Sequence, residues 1–265
     1  MRLSVVIITF NEEDRLEDAL KSCTDIADEI VVVDSFSTDK TLEIAAQYNA
    51  VIHKKEFIDY GSQKNFAKDK ASYRWVLNLD ADERVSETLK KEIQKLKQQE
   101  EIDVDGFRIN RKTYYLGRWI KHSGWYPDRK LRLFKRDKSQ WRGRIHEGLI
   151  LEGKTSRLEG DILHFTYRNI TDHVGRLNRY SKMQAEDIVT KRKKLLYLKF
   201  LLLPAVTFLR FYIWKMGVLD GLPGLVIALV SSWATAMKYL KAIEIKRGQK
   251  GDSRGGYKSA PSMIE

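Results

Sequence analysis

The stretch Trp75-Val76-Leu77-Asn78-Leu79-Asp80-Ala81-Asp82-Glu83 is an apolar strand that runs into three carboxylates within four residues. A run of this kind belongs in a buried sheet. Asp80, Asp82 and Glu83 crowded at its tip repel one another unless a metal or a cationic partner offsets the cost. Magnesium or manganese held by one or two protein carboxylates, with phosphate oxygens completing the shell, is one physical answer. The other is a solvated acidic turn before a helix that starts near Ser86, with Asp82 and Glu83 favouring its positive end.

Working outward, the same pattern of strand then acid occurs earlier in a βαβ setting. Leu3 to Ile8 is a short continuous apolar run, as expected of a strand covered on both faces, and it ends in Thr9-Phe10-Asn11-Glu12. Leu16, Ala19, Leu20 and Cys23 follow at helical spacing, and Glu29-Ile30-Val31-Val32-Val33-Asp34 reads as a second strand. The next helix is expected after Asp39, with Thr38 or Asp39 as its cap and Leu42, Ala45, Ala46 and Tyr48 on its apolar side. Val51-Ile52-His53 is a third strand, and Gly61 to Lys70 reads as a loop entering a helix. Strands alternating with helices, with ligand-type residues at strand ends, place small-molecule binding at the carboxyl edge of the sheet.

Three segments in order, Val5-Val6-Ile7-Ile8-Thr9-Phe10-Asn11-Glu12, Val31-Val32-Val33-Asp34-Ser35-Phe36-Ser37-Thr38-Asp39 and Asn78-Leu79-Asp80-Ala81-Asp82-Glu83, resemble the family 2 glycosyltransferases. More narrowly they are similar to the subgroup that includes bacterial lipopolysaccharide core β-1,4-glucosyltransferases, over roughly residues 1 to 245. The resemblance implies an α/β fold of the GT-A type, a Rossmann-like mixed sheet flanked by helices, followed by amphipathic, membrane-associated helices. It implies that Asp34 accepts hydrogen bonds from uracil or another base, with Thr9, Asn11 and Glu12 at the nucleotide pocket. Asp80 then lies near the ribose and the metal, Asp82 is the principal metal ligand, and Gln63-Lys64-Asn65 approaches the donor sugar or its phosphates.

The chemistry has its own logic. Breaking a sugar to phosphate bond develops negative charge on the diphosphate, so a divalent cation, Mg²⁺ or Mn²⁺, stabilises the transition state more than the ground state. The acceptor hydroxyl must lose a proton as it attacks, which calls for a base from later in the chain. In the subgroup resembled, a His-Glu pair after an Arg-Leu-Phe segment takes the place of the acidic base motif. This matches Arg132-Leu133-Phe134 and His146-Glu147 here. Glu147 is thus the expected base with His146 orienting it or binding acceptor, and Asp128 is the rival; an ion pair of Glu147 with Arg142 or Arg144 is the structural alternative. His164 ends a strand-like run and is either a packed histidine or a third metal or diphosphate contact. Gly117, Trp119, Gly124, Trp125 and Tyr126 form an aromatic loop suited either to sugar faces or to core packing.

Composition fits a catalytic domain with a tail of different character. The single cysteine, Cys23, is expected to be a packed thiol in a reducing compartment, and Met1-Arg2 is expected to lead directly into a strand rather than through a cleavable leader. Residues 1 to 105 carry 15 Lys and Arg against 23 Asp and Glu, whereas the remainder carries 33 against 13. A basic half of this kind fits a polyanionic surface. Lys191-Arg192-Lys193-Lys194 precedes the apolar run Leu195 to Trp214, interrupted by Lys199, Pro204 and Arg210, and a second run covers Leu225 to Met237. Both read as helices lying in an anionic membrane interface, with Trp214, Trp233 and Tyr239 at the boundary; packing on the catalytic domain or a dimer interface is the alternative. Nucleic acid is not expected, because the basic block adjoins apolar helices rather than a platform of aromatics.

The expected organisation is a catalytic domain over 1–170, a helical membrane-associating region over 171–246 and a disordered tail over 247–265. The expected function is inverting, metal-dependent transfer of a sugar, glucose by resemblance, from a UDP-sugar to a lipid-linked or lipopolysaccharide-type acceptor. The enzyme is placed peripherally at the cytoplasmic face of the membrane. A non-catalytic basic protein that retains a nucleotide-binding fold is the other class, and a sugar nucleotidyltransferase lacks the Gly-rich phosphate loop it would need at Thr9 to Asp14.

Overall fold

The computed structural model describes residues 1–143, 148–191 and 194–252. The chain forms two compact units, one of residues 1–119 and 125–166, the other of 120–124 together with the chain from 167 onward.

The first unit begins with β1 (Leu3–Thr9), α1 (Leu16–Cys23), β2 (Glu29–Asp34), α2 (Thr41–Gln47), β3 (Val51–Lys54), α3 (Tyr60–Lys70) and β4 (Trp75–Asp80). Strands β3, β2, β1 and β4 lie side by side and all parallel. The continuous apolar runs have the expected cause, because both faces are covered. Val5, Ile7, Leu77 and Leu79 pack with Leu16, Leu20 and Cys23 of α1 on one face, whereas Val6, Val31, Val33 and Val76 pack with Ala67 and Ala71 on the other.

Two local expectations shift. The cap position of α2 is Lys40 and makes no side-chain bond; Asp39 instead accepts from the Thr41 N–H at 3.0 Å. The segment read as a loop entering a helix is helical from Tyr60, because Asp59 caps it by accepting from the Ser62 N–H at 2.7 Å.

Beyond β4 come β5 (Glu83–Val85), α4 (Glu87–Gln98), β6 (Gly106–Tyr115), β7 (Arg118–Trp119), β8 (Asp128–Lys135), β9 (Ser139–Arg142), β10 (Gly148–Leu151) and β11 (Thr155–His164). Helix α4 starts next to Ser86, where a start was expected, and Ser86 caps it by accepting from the Leu89 N–H. The sheet continues from β4 through β8, β6 and β11 to β5, with β7 on β6, while β9 and β10 form a separate hairpin. Only Ala81 and Asp82 separate β4 from β5, yet β5 pairs with β11 at the far end of the strand order. The sheet therefore curls, and the β4 to β5 connection links an interior strand to the edge strand beyond β11. The tryptophans of the aromatic loop pack on rings outside it: Trp119 contacts Tyr114 and Phe165, and Trp125 contacts Tyr115.

The second unit holds α5 (Ile170–Thr190), α6 (Leu196–Leu209) and α7 (Gly221–Asp252). Ala185 and Ile188 of α5, Leu196 of α6 and Tyr239, Ala242 and Ile243 of α7 form its core. Pro204 lies inside α6, and its carbonyl accepts from Ser232 Oγ of α7 at 2.8 Å. One π-helical turn, Arg210–Trp214, and a 3-10 turn, Gly217–Asp220, link α6 to α7. The buried Asp220 carboxylate accepts from the N–H groups of Lys121 and His122, both at 3.0 Å, and from Ser123 Oγ at 2.9 Å. That pins segment 120–124 to the turn. Tyr197, Leu198, Leu201, Leu202, Ile213 and Trp214 are exposed.

Candidate active site

The carboxyl ends of β1 and β2 are laced together through Asp34. Thr9 and Asp34 are register partners, and Asp34 Oδ1 accepts from Thr9 Oγ1 at 2.9 Å while Oδ2 accepts from the Ser37 N–H at 2.7 Å. Asn11 takes a left-handed backbone, accepts from the Thr38 N–H at 2.9 Å and donates its own N–H to Ser37 Oγ. The Glu12 N–H donates to Thr41 Oγ1 at 2.8 Å. Of the sequence-predicted nucleotide residues, Thr9, Asn11 and Asp34 thus share one network through Ser37, with Asp34 fully buried, while Glu12, next in the chain, is bonded to Thr41. Phe10 and Phe36, which sequence reasoning did not single out, leave the same strand ends 59% and 55% exposed. Exposed aromatic rings at the carboxyl edge of a parallel sheet are available to stack on a flat ligand.

Gln63, Lys64 and Asn65 on α3 reach three different neighbours. Gln63 Nε2 donates to Ser35 Oγ at 3.0 Å and to the Lys55 carbonyl, and its buried Oε1 has no partner among the described residues. Lys64 Nζ lies 3.1 Å from Asp80 Oδ1 and 4.9 Å from the centre of the Trp141 ring. Asn65 bonds both the carbonyl and the N–H of Trp141 at 2.9 Å, tying α3 to β9. Gly61 permits this approach, since a Cβ there would lie 2.7 Å from the Gly143 carbonyl oxygen.

The acidic triplet is divided by its neighbours. Phe107 pairs with Leu133 and Arg108 with Leu131, so Arg132 is the extra residue of a bulge in β8, a device that re-aims a side chain. Its guanidinium donates to Glu83 Oε1 at 2.6 Å, Asp80 Oδ2 at 2.9 Å and Asn78 Oδ1 at 3.2 Å. Burial pushes the Asp80 carboxyl up, but Arg132 and Lys64 outweigh it and hold the group far below the usual carboxylate range. Glu83, wholly buried, is pushed up by desolvation against the pull of Arg132, with Asp80 adding to the rise. Asp80, expected to share the metal, therefore has one oxygen on Lys64 and the other on Arg132.

Asp82 faces elsewhere. Because β11 pairs with β5 so that His164 sits opposite Glu83, the end of β11 meets the β4 to β5 connection, and His164 Nε2 lies 3.4 Å from Asp82 Oδ2. Thr113 Oγ1 is 3.4 Å from His164 Nδ1, and Arg15 is 3.6 Å from Asp82. Desolvation raises the Asp82 carboxyl, but the His164 contact and Arg15 more than reverse it, so the group is lowered and ionised at neutral pH. Among the described residues no group of three His, Cys, Asp or Glu side chains is arranged to hold a metal ion. The donor set that fits one is the pair Asp82 and His164, a carboxylate and an imidazole backed by a hydroxyl, with the remaining positions left to phosphate oxygens.

A cavity of about 470 Å³ opens beside Asp80, its described lining including Lys64, Arg108, Arg111, Arg129, Lys130 and Arg132 with Asp80 as the one carboxylate. Asp128 is held at 2.7 Å by Arg111 and at 3.2 Å by Lys130. Trp141, Gly148 and Leu149 of the hairpin complete the wall. His146 and Glu147, the expected base pair, lie outside the described residues.

The Glycosyl transferase family 2 model matches residues 4–151. The lipopolysaccharide core biosynthesis glycosyltransferase LpsC of Rhizobium meliloti is 30% identical over 256 residues, which span 92% of this chain and 94% of that protein. An uncharacterized glycosyltransferase of Rickettsia typhi is 29% identical over 92% of this chain and 87% of its own length. Among solved structures, the 1-349 fragment of S. aureus TarS aligns with a TM-score of 0.48 at 18% identity, over 95% of this chain and 92% of that one. With the family pattern running through β1 to the β9–β10 hairpin, and a relative matched along nearly its whole length, this chain belongs to glycosyl transferase family 2 and is a glycosyltransferase of the GT-A fold.

Proposed function

We propose that the protein transfers a hexose, glucose by the sequence resemblance, from a UDP-sugar to a lipopolysaccharide-core or lipid-linked saccharide, with inversion and with a divalent cation. The observation that carries this reading is the cation-lined cavity at the carboxyl edge of β4, bordered by Lys64 and Arg132 and next to the Asp82–His164 pair. Lys64 and Arg132 are fixed before any ligand arrives, so they meet charge developing on a diphosphate leaving group without reorganising. Phe10 and Phe36 stack on the base, and the Asp34 network holds their loops. Asp82 and His164 would hold the cation, which would supply Lewis-acid stabilisation of the leaving phosphates. Glu147, next in sequence to the cavity-lining Gly148, takes the proton from the acceptor hydroxyl, since Asp128 already has its oxygens on two cations. The likeness to LpsC, a lipopolysaccharide core biosynthesis glycosyltransferase, supports a lipopolysaccharide-type acceptor.

The helical unit supports attachment to a membrane. Segments Leu196–Trp214 and Gly217–Gln249 are long and apolar enough to cross one, and only 6% of the first is buried. Lying in the interface is the better fit. Helix α5 packs along α7, with Asn178 and Ser181 bound to Lys241, and it carries Asp172, Arg176, Lys182, Glu186 and Asp187. A crossing of α6 and α7 would draw those charges into hydrocarbon, where each is costly. In the interface the exposed Leu and Trp of α6 enter the acyl boundary while basic residues reach anionic headgroups.

Calorimetric titration with UDP, UDP-glucose, GDP-mannose and dTDP-glucose, each with Mn²⁺ and with chelator, tests the donor reading. The expected result is binding of the uridine nucleotides only, lost in chelator; binding of none, or binding indifferent to metal, refutes it. Vesicle flotation with chain truncated before Leu195 tests the membrane reading: the truncated form should leave anionic vesicles, and undiminished flotation refutes it.

A further inference from the structure

The cations of the cavity separate into those with a carboxylate and those without. Lys64 and Arg132 are matched by Asp80 and Glu83, and Arg111 and Lys130 by Asp128. Arg108 and Arg129 also line the cavity, and among the described residues neither side chain has an ion pair or hydrogen bond. Register places them together. Asn110 of β6 pairs with Arg129 of β8, Arg108 stands two residues before Asn110, and Arg108 pairs with Arg157 of β11. Residues opposite one another share a face, as do alternate residues of one strand. Arg129, Arg108 and Arg157 therefore lie on one face across three neighbouring strands. A second cavity of about 420 Å³, lined by Arg108, Thr155, Ser156 and Arg157, adjoins the first through Arg108.

Like charges directly opposite on neighbouring strands repel. A nucleotide-sugar does not relieve this repulsion, because its diphosphate carries about two negative charges and one divalent cation cancels them. The arginines also lie on β8, β6 and β11, on the other side of β4 from the Asp34 network, so a donor whose base lies at β1 and β2 has its acceptor on their side.

We propose that Arg108 and Arg129, flanked by Arg157, form a subsite for an oxyanion carried by the acceptor saccharide, a phosphate or a carboxylate of a sugar acid. The assignment of this side to the acceptor rests on the donor reading given above. A guanidinium fork matches either oxyanion in bidentate fashion, and the Thr155 and Ser156 hydroxyls add neutral donors beside it. Acceptors with a neutral saccharide at this position are selected against, because they leave the arginine repulsion in place.

The test is NMR titration of the full chain with glucose 6-phosphate, glucuronate and glucose, each with and without saturating UDP and Mg²⁺. The expected result is saturable binding of glucose 6-phosphate or glucuronate, none of glucose, and at least a tenfold loss in R108Q/R129Q with UDP affinity within twofold of the wild type. The tighter of the two anions identifies the oxyanion. Failure of both anions to bind the wild type, or undiminished binding to R108Q/R129Q, overturns the subsite. Loss of UDP binding by the wild type, with anion binding intact and sensitive to the double substitution, refutes the donor reading instead and leaves the oxyanion subsite standing.

Discussion

Asp34 closes β2 and Asp80 closes β4, the two parallel strands that flank β1, and the sequence presents them in the same way, as an acid after an apolar run. Their surroundings differ in kind. Asp34 is held by hydroxyls and an N–H, all neutral, whereas Asp80 is held between Lys64 and Arg132. Neutral donors leave the charge of Asp34 in place while fixing two loops. Cations cancel the charge of Asp80, which turns it into a strut that positions Lys64 and Arg132 and leaves Asp82, two residues on, to face His164. Position at a strand end sets where a carboxylate points, and its partners set what it can do.

The comparison can be broken first at Arg132. Arg132→Ala leaves Asp80 and Glu83 without their shared cation and should cost about 3–5 kcal/mol, the range for breaking one side of a buried ion pair. Urea denaturation measures it, and a loss under 1 kcal/mol would show that the triad is not a buried unit. Asp82→Ala should leave the fold intact and remove metal-dependent UDP binding; calorimetry showing retained metal dependence would return the metal to Asp80. Glu147→Gln should lower transfer by about a hundredfold or more with UDP affinity unchanged, the scale of a lost general base. If Asp128→Asn alone has that effect, the base is Asp128. On the neutral side, Thr9→Val removes one of the hydrogen bonds to the buried Asp34 and should cost about 1.5–3 kcal/mol, read from the denaturation midpoint. Phe36→Ala is expected to weaken UDP binding by about 1 kcal/mol, the lower end for loss of an aromatic platform under a base; equal weakening of inorganic pyrophosphate binding would show that Phe36 does not touch the base.

What was legible in the sequence was local. The four parallel strands, α1 and the start of α4 near Ser86 rest on periodicity and on residues within a turn of one another, and each forms as expected. The grouping of Thr9, Asn11 and Glu12 with Asp34 came from the family resemblance, and the parallel pairing of β1 with β2 brings those strand ends level. The partners of the acidic triplet were not legible in this way. Arg132 reaches Asp80 from 52 residues away because of a bulge, and the sequence Leu131-Arg132-Leu133 reads as plain alternation. His164 reaches Asp82 only because the sheet curls until β5 pairs with β11. Phe10 and Phe36 were passed over because aromatic residues beside apolar strands usually pack inside. A signal was present in both cases, since each follows a strand end and precedes a polar loop.

Cys23 is the only cysteine in the chain, and it is fully buried on α1. Burial pushes its thiol up to about 12, so almost none of it is thiolate at neutral pH, and thiolate is the form that reacts. The natural chain is in effect blind to thiol reagents. A cysteine introduced at Ile213 or Trp214 would be the sole target for a maleimide fluorophore or spin label, without first replacing Cys23. Depth in a bilayer, distances across the helical unit and loop motion on donor binding are all open to spectroscopy from single substitutions.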